Sequence, residues 1–88
     1  MKKATATIIN NAGLHARAAS KLADVAARFS SSITIGHDKV VDGKSILSLM
    51  MLAAVKGTEL NIEADGTDEE EALNAILELI ANRFDEAE

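Results

Sequence analysis

The chain has 88 residues, no Cys, 48% apolar and 26% charged residues, and a formal net charge of −5. Such a chain suffices for one globular domain, residues 1–88, whose core must come from aliphatic packing, because neither a disulfide nor a Cys-based zinc site can staple it. An acidic protein with two Phe and no Tyr or Trp repels nucleic acid on average and has little to stack on bases, and no apolar run reaches the roughly 18 residues of a membrane span.

The basic start, Met1-Lys2-Lys3, is followed by Ala4-Thr5-Ala6-Thr7 where a signal peptide needs a long apolar stretch. The reading is a cytoplasmic protein. Lys3 to Ile9 alternates Thr with Ala or Ile and reads as a strand. Asn10-Asn11-Ala12-Gly13 is a turn cluster. From Ala16 to Phe29 the period becomes helical, with Ala19, Leu22, Ala26 and Phe29 near one stripe and Arg17, Lys21, Asp24 and Arg28 elsewhere on the wheel. Ile33–Ile35 and Lys39–Val41 read as short strands around a Gly36-His37-Asp38 turn.

Ile46 to Ala53 is apolar nearly all round and reads as one or two helical turns capped by Ser45. It is too apolar to bury every face, so Leu49, Leu52 and Ala53 are expected in the core and Ile46, Leu47 and Met50 on an exposed patch. Glu59 to Ala64 alternates as a strand, with Leu60, Ile62 and Ala64 inward. Thr67 or Asp68 caps a last helix with an acidic first turn, Asp68 to Glu71, and a buried face of Leu73, Ile76, Leu77, Ile80 and Phe84. The order βαββαβα predicts an α+β, two-layer open-faced sandwich: a four-stranded antiparallel sheet with its helices on one face.

His15 is the best candidate for chemistry. It sits where a turn becomes a helix, and a helix start offers unpaired N–H groups and the positive end of the dipole. A phosphoryl group on its ring would be held by the N–H groups of Ala16, Arg17 and Ala18, and the Arg17 guanidinium could fork onto phosphate oxygens. Phosphoryl transfer needs mostly positioning and charge stabilisation, and this group of residues supplies both. Gly43-Lys44-Ser45 is not a Walker A loop, since Asp38 stands where the first Gly is required. His37 reads as a solvated turn residue; two His without Cys make no metal site, and no cofactor is implied.

Gly13-Leu14-His15-Ala16-Arg17 at the first β-to-α turn resembles the HPr phosphocarrier family of the phosphoenolpyruvate-dependent phosphotransferase system. Gly43 to Leu52 resembles that family's segment with a regulatory serine and an apolar docking patch, and Lys56-Gly57 through the last helix also matches. The resemblance implies that His15 accepts a phosphoryl group on Nδ1 from phosphorylated Enzyme I and passes it to an Enzyme IIA-type acceptor. Arg17 would steady the group, and Ser45 would be the residue modified by an ATP-dependent HPr kinase. Leu14, Lys21, Ile46, Leu47 and Met50 are the expected partner-docking residues, with Lys21, Arg28 and Lys44 adding local positive charge. The family commonly has Pro where this chain has Ala18, and many members have Asn where it has Ala12. Ala18 keeps an N–H that Pro would lack.

Two other readings stand beside this one. The acidic last helix and its Phe84-Asp85-Glu86 ending also resemble NPr, the nitrogen-branch relative, which would serve a regulatory acceptor in place of sugar uptake. A small α+β domain can also be a binding module with no phosphoryl chemistry, in which His15 is dispensable. A carrier meets its partners briefly, so a monomer is expected.

Overall fold

The computed structural model describes residues 1–86. Its sheet is built from β1 (Lys2–Thr7), β2 (Ser32–Gly36), β3 (Val40–Asp42) and β4 (Glu59–Asp65), and its helices are α1 (Ala16–Ala27), α2 (Ile46–Met50) and α3 (Glu69–Ala81). A short 3-10 turn, Arg83–Asp85, follows α3. The spatial strand order is β1-β4-β2-β3, and every pair is antiparallel. This is the two-layer βαββαβα architecture expected from the alternation of strand and helix periods.

The central strand β4 shows why. Leu60, Ile62 and Ala64 are buried, while Glu59, Asn61 and Asp65 are exposed. Its neighbours keep the same phase: Ile33 lies opposite Ala64, Ile35 opposite Ile62, and Ala4 opposite Ile62 on the other side. Helices α1 and α3 cover this face, α3 against β1 and β4 and α1 against α2 and α3. The opposite face carries Lys3, Thr5, Asn61 and Glu63, with Lys3 Nζ 3.3 Å from the Glu63 carboxylate across the strand pair.

Helix α3 buries Ala72, Leu73, Ile76, Leu79 and Ile80, the large ones contributing roughly 1.5–3 kcal/mol each. Leu77, expected inward, is only partly buried, and Leu79 takes its place. At about 100° per residue, Leu79 falls about 20° outside Ala72 at one edge of the buried arc, whereas Leu77 falls about 40° outside Leu73 at the other. Phe84 is fully buried as expected but is not part of the helical stripe. The helix stops at Ala81, and Phe84 reaches the core through the turn that follows.

Other boundaries move for local reasons. Helix α1 ends at Ala27, so Phe29 packs on the core from beyond it and is partly buried. Ala53, expected inside, is exposed: the chain reverses there with φ 50°, and Ala54 takes the inward position. Asp68 begins α3 but makes no side-chain cap, and neither does Thr67. The Asp68 carboxylate instead accepts from the backbone N–H and hydroxyl of both Ser30 and Ser31, joining the end of α1 to the start of α3.

Candidate functional site

The loop between β1 and α1 is pinned from several sides. Ile8 is buried, its N–H donating to Thr58 O and its carbonyl accepting from Gly57 N. Asn10 is fully buried and closes the loop on itself: its carbonyl accepts from Gly13 N at 3.2 Å and its Nδ2 donates to Gly13 O at 2.8 Å. Gly13 has φ 68°, and a Cβ there would lie 2.6 Å from Ala54 O, so both the conformation and the close approach demand glycine. Leu14 then donates its N–H to the same Ala54 carbonyl at 2.8 Å.

Leu14 was expected on the docking face, and the structure corrects this. Its side chain is only 4% exposed and belongs to the core. It plugs the loop onto the body of the protein, which leaves the next residue, His15, extended at the start of α1 (φ −77°, ψ −179°). The His15 carbonyl accepts the first helical hydrogen bond, from Ala19 N at 2.8 Å. No side chain caps this helix start, and no acidic residue occupies its first turn. The N–H groups of Ala16, Arg17 and Ala18 have no partner among the described residues. Helix-start N–H groups in this state are the donors an anion needs.

The His15 ring is half-buried, with its side chain 32% exposed. Nε2 lies 2.7 Å from Oε2 of Glu86, whose side chain is 18% exposed, and Glu86 Oε1 accepts from Asn10 Nδ2 at 3.0 Å. The sequence marks Asn10 only as part of a turn and Glu86 only as part of the chain's NPr-like ending, with no link to His15 for either. Arg17 is exposed and makes no hydrogen bond or ion pair among the described residues.

The other expected cations are occupied. Lys21, expected to dock partners, donates its Nζ to Phe84 O at 2.9 Å and so holds the C-terminal turn. Lys44 Nζ donates to Phe29 O at 2.8 Å, and Arg28 pairs with Asp24 one helical turn away at 3.1 Å. Ser45 caps α2, its hydroxyl accepting from Ser48 N at 3.3 Å. Ile46, Leu47 and Met50 are exposed, as are Met51 and Val55, which were not expected on the docking patch. His37 lies in its exposed turn, 3.7 Å from the Asp38 carboxylate. Among the described residues no three His, Asp or Glu side chains gather where they could hold a metal ion.

The family model described as "PTS HPr component phosphorylation site" matches residues 2–82. The chain belongs to the HPr phosphocarrier family. It is 56% identical over 84 residues to phosphocarrier protein HPr of Pseudomonas aeruginosa and 52% identical over 84 residues to that of Pseudomonas putida, covering 93% of each chain in both cases. The fold superposes on HPr-C-His from Thermoanaerobacter tengcongensis with a TM-score of 0.95 at 42% identity over the whole of both chains. Within this HPr fold Ala18, which stands where the family commonly has Pro, is fully buried in the first turn of α1. Ala12, which stands where many members have Asn, is exposed. The buried amide beside the site is two residues earlier, at Asn10. No helix among the described residues is long and apolar enough to cross a membrane.

Proposed function

We propose that this HPr-family chain, acting as one domain in the cytoplasm, accepts a phosphoryl group on Nδ1 of His15 from phosphorylated Enzyme I. It then passes that group to an Enzyme IIA-type acceptor in sugar uptake. The observation that carries this reading is His15 at a helix start with neither a side-chain cap nor an acidic first turn. A phosphoryl group on its ring would meet the N–H groups of Ala16, Arg17 and Ala18, and Arg17 would supply the fork that follows the group in transit. Ile46, Leu47 and Met50 form the docking patch, where flexible Met side chains suit successive partners. No cofactor or metal enters the scheme, and the carrier works as a monomer.

Ser45 is the proposed regulatory position for an HPr kinase. A phosphate there would sit at the start of α2 and add about two negative charges beside the apolar patch, repelling acidic partner surfaces.

Intact-mass spectrometry after incubation with Enzyme I and phosphoenolpyruvate tests the central claim. Wild type is expected to gain one acid-labile phosphoryl group and His15→Ala none. No gain in folded wild type, with Enzyme I active on another carrier, overturns it.

A further inference from the structure

Sulfur is confined to the surface of this chain. There is no Cys, and none of the three Met residues belongs to the core. Met1, Met50 and Met51 are 66%, 41% and 60% exposed. We propose that the thioethers of Met50 and Met51 are a reversible oxidation site, at which a hydroperoxide turns the docking patch from apolar to polar and so weakens delivery of phosphoryl groups to His15. This proposal rests on the phosphocarrier reading and its docking patch.

The spacing along α2 places both sulfurs on that patch. Leu49 is fully buried and anchors the helix. Residues four apart share a face of a helix, so Ile46 stands with Met50 and Leu47 with Met51. The second pair is joined by a hydrogen bond from Met51 N to Leu47 O at 3.1 Å. All four side chains are exposed, and each pair carries one thioether. Met1 lies at another place in the fold, its amino group 3.1 Å from the Glu69 carboxylate in the first turn of α3.

With no thiol in the chain, exposed thioethers are the groups a hydroperoxide attacks first. The step balances. A sulfur lone pair bonds to one peroxide oxygen, the O–O bond breaks, and the proton of the transferred oxygen moves to the departing one, which leaves as water or an alcohol. Sulfur is oxidised to the sulfoxide by two electrons, and the peroxide is reduced. Two thiols reverse the change: they become a disulfide, and the sulfoxide oxygen leaves as water.

The consequence falls on docking and spares the fold. Oxidation replaces a flexible apolar side chain by a polar, chiral one. In free protein the new oxygen stays hydrated, and a core without Met does not register it. Under a partner the same oxygen loses its water, which disfavours the complex unless a donor meets it. His15, Arg17 and the start of α1 contain no sulfur, so the acceptor chemistry is left intact.

The test treats the full chain with hydrogen peroxide and follows Met1, Met50 and Met51 by peptide mapping. Treated and untreated protein then receive two kinds of donor: Enzyme I with phosphoenolpyruvate, which must dock, and potassium phosphoramidate, which needs no partner protein. Wild type and Met50→Leu/Met51→Leu are each compared with themselves before and after treatment. In wild type carrying both sulfoxides, the KM of Enzyme I for this chain is expected to rise about ten-fold with kcat unchanged. Acceptance from phosphoramidate and the urea midpoint are expected to stay as before, and methionine sulfoxide reductases for both epimers to restore the KM. The double variant is expected to keep its own KM through treatment while its Met1 is oxidised.

An unchanged KM in doubly oxidised wild type overturns the proposal. So does an equal rise in the double variant, which puts the lesion elsewhere. A fall in phosphoramidate acceptance that matches the loss with Enzyme I also overturns it, because the damage then lies at His15 or in the fold. Untreated wild type that accepts from phosphoramidate but takes nothing from Enzyme I overturns the carrier reading itself, a failure that needs no oxidant. If the double variant fails to fold, Met50→Leu and Met51→Leu replace it singly: a smaller rise than wild type in either supports the proposal, and a rise equal to wild type in both refutes it.

Discussion

The two long helices begin in opposite ways. α3 starts with Glu69, Glu70 and Glu71 in its first turn, and its neighbourhood is satisfied from within: Glu69 accepts from Gly66 N at 3.1 Å and lies 3.1 Å from the Met1 amino group, while Asp68 holds Ser30 and Ser31. α1 starts with His15, no cap and no acid. Both ends carry the same positive dipole. In α3 the chain spends that field on its own carboxylates, joining helix to loop and N-terminus. In α1 the field meets no cap and no carboxylate among the described residues, as the proposed phosphoryl site requires.

Gly13→Ala strikes hardest at the open end. The new Cβ meets the Ala54 carbonyl in a left-handed conformation, so a loss of roughly 2–3 kcal/mol is expected in urea unfolding, together with impaired phosphoryl acceptance. Ala16→Glu would make α1 begin as α3 does. If the proposed site is right, acceptance from Enzyme I is expected to fall roughly ten-fold, since the new carboxylate occupies the field proposed to hold the phosphoryl group, while thermal unfolding shifts little or upward. An unchanged rate would show that the bare helix start is not what holds the group. Ser45→Ala removes the cap of α2 and should cost about 1 kcal/mol of stability, with acceptance on His15 unaffected.

The smallest effect at neutral pH concerns the closed end. The Ser31 hydroxyl, then the Ser30 and Ser31 backbone N–H groups, hold Asp68 well below its ordinary value of 3.8, at about 2. A depressed carboxylate stabilises the fold above its unfolded value and loses that contribution as pH falls. Glu69 is lowered as well, chiefly by the Gly66 N–H. Stability should therefore decline as pH drops from about 4 towards about 2. In Asp68→Asn that part of the slope should vanish, which calorimetry across this range would detect.

Much of the fold is legible because it repeats locally. β4 reveals its buried face by alternation, α3 its start by three glutamates, and α2 its first residue by Ser45. The string around His15 marks the helix start for the same reason. What local pattern does not report is which distant groups a side chain meets. Leu14 reads as a surface residue in a turn and proves to be the plug beneath it; Lys21 reads as a free cation and proves to be tied to Phe84. The positive φ values at Ala53, Arg83 and Phe84 occur at residues with no intrinsic preference for them, and only Asp85 leans that way, so tertiary contacts impose the run. Asn10 and Glu86 lie five residues before and 71 residues after the ring, a grouping no periodicity contains.

The left-handed turn after α3 also bears on how the molecule opens. Its hold on the body of the protein runs through the side chain of Phe84, the carbonyl accepting from Lys21 and the Glu86 carboxylate. The sheet does not depend on it, because β1 pairs with β4 along its whole length. Release of this last turn would withdraw Phe84 from the core yet leave the β1–β4 pairing intact, and a sub-global opening of this kind is expected to cost less than complete unfolding. Amide exchange at Asp85 and Glu86 should report that event alone, and each opening would uncover the His15 ring while the rest of the fold stays closed.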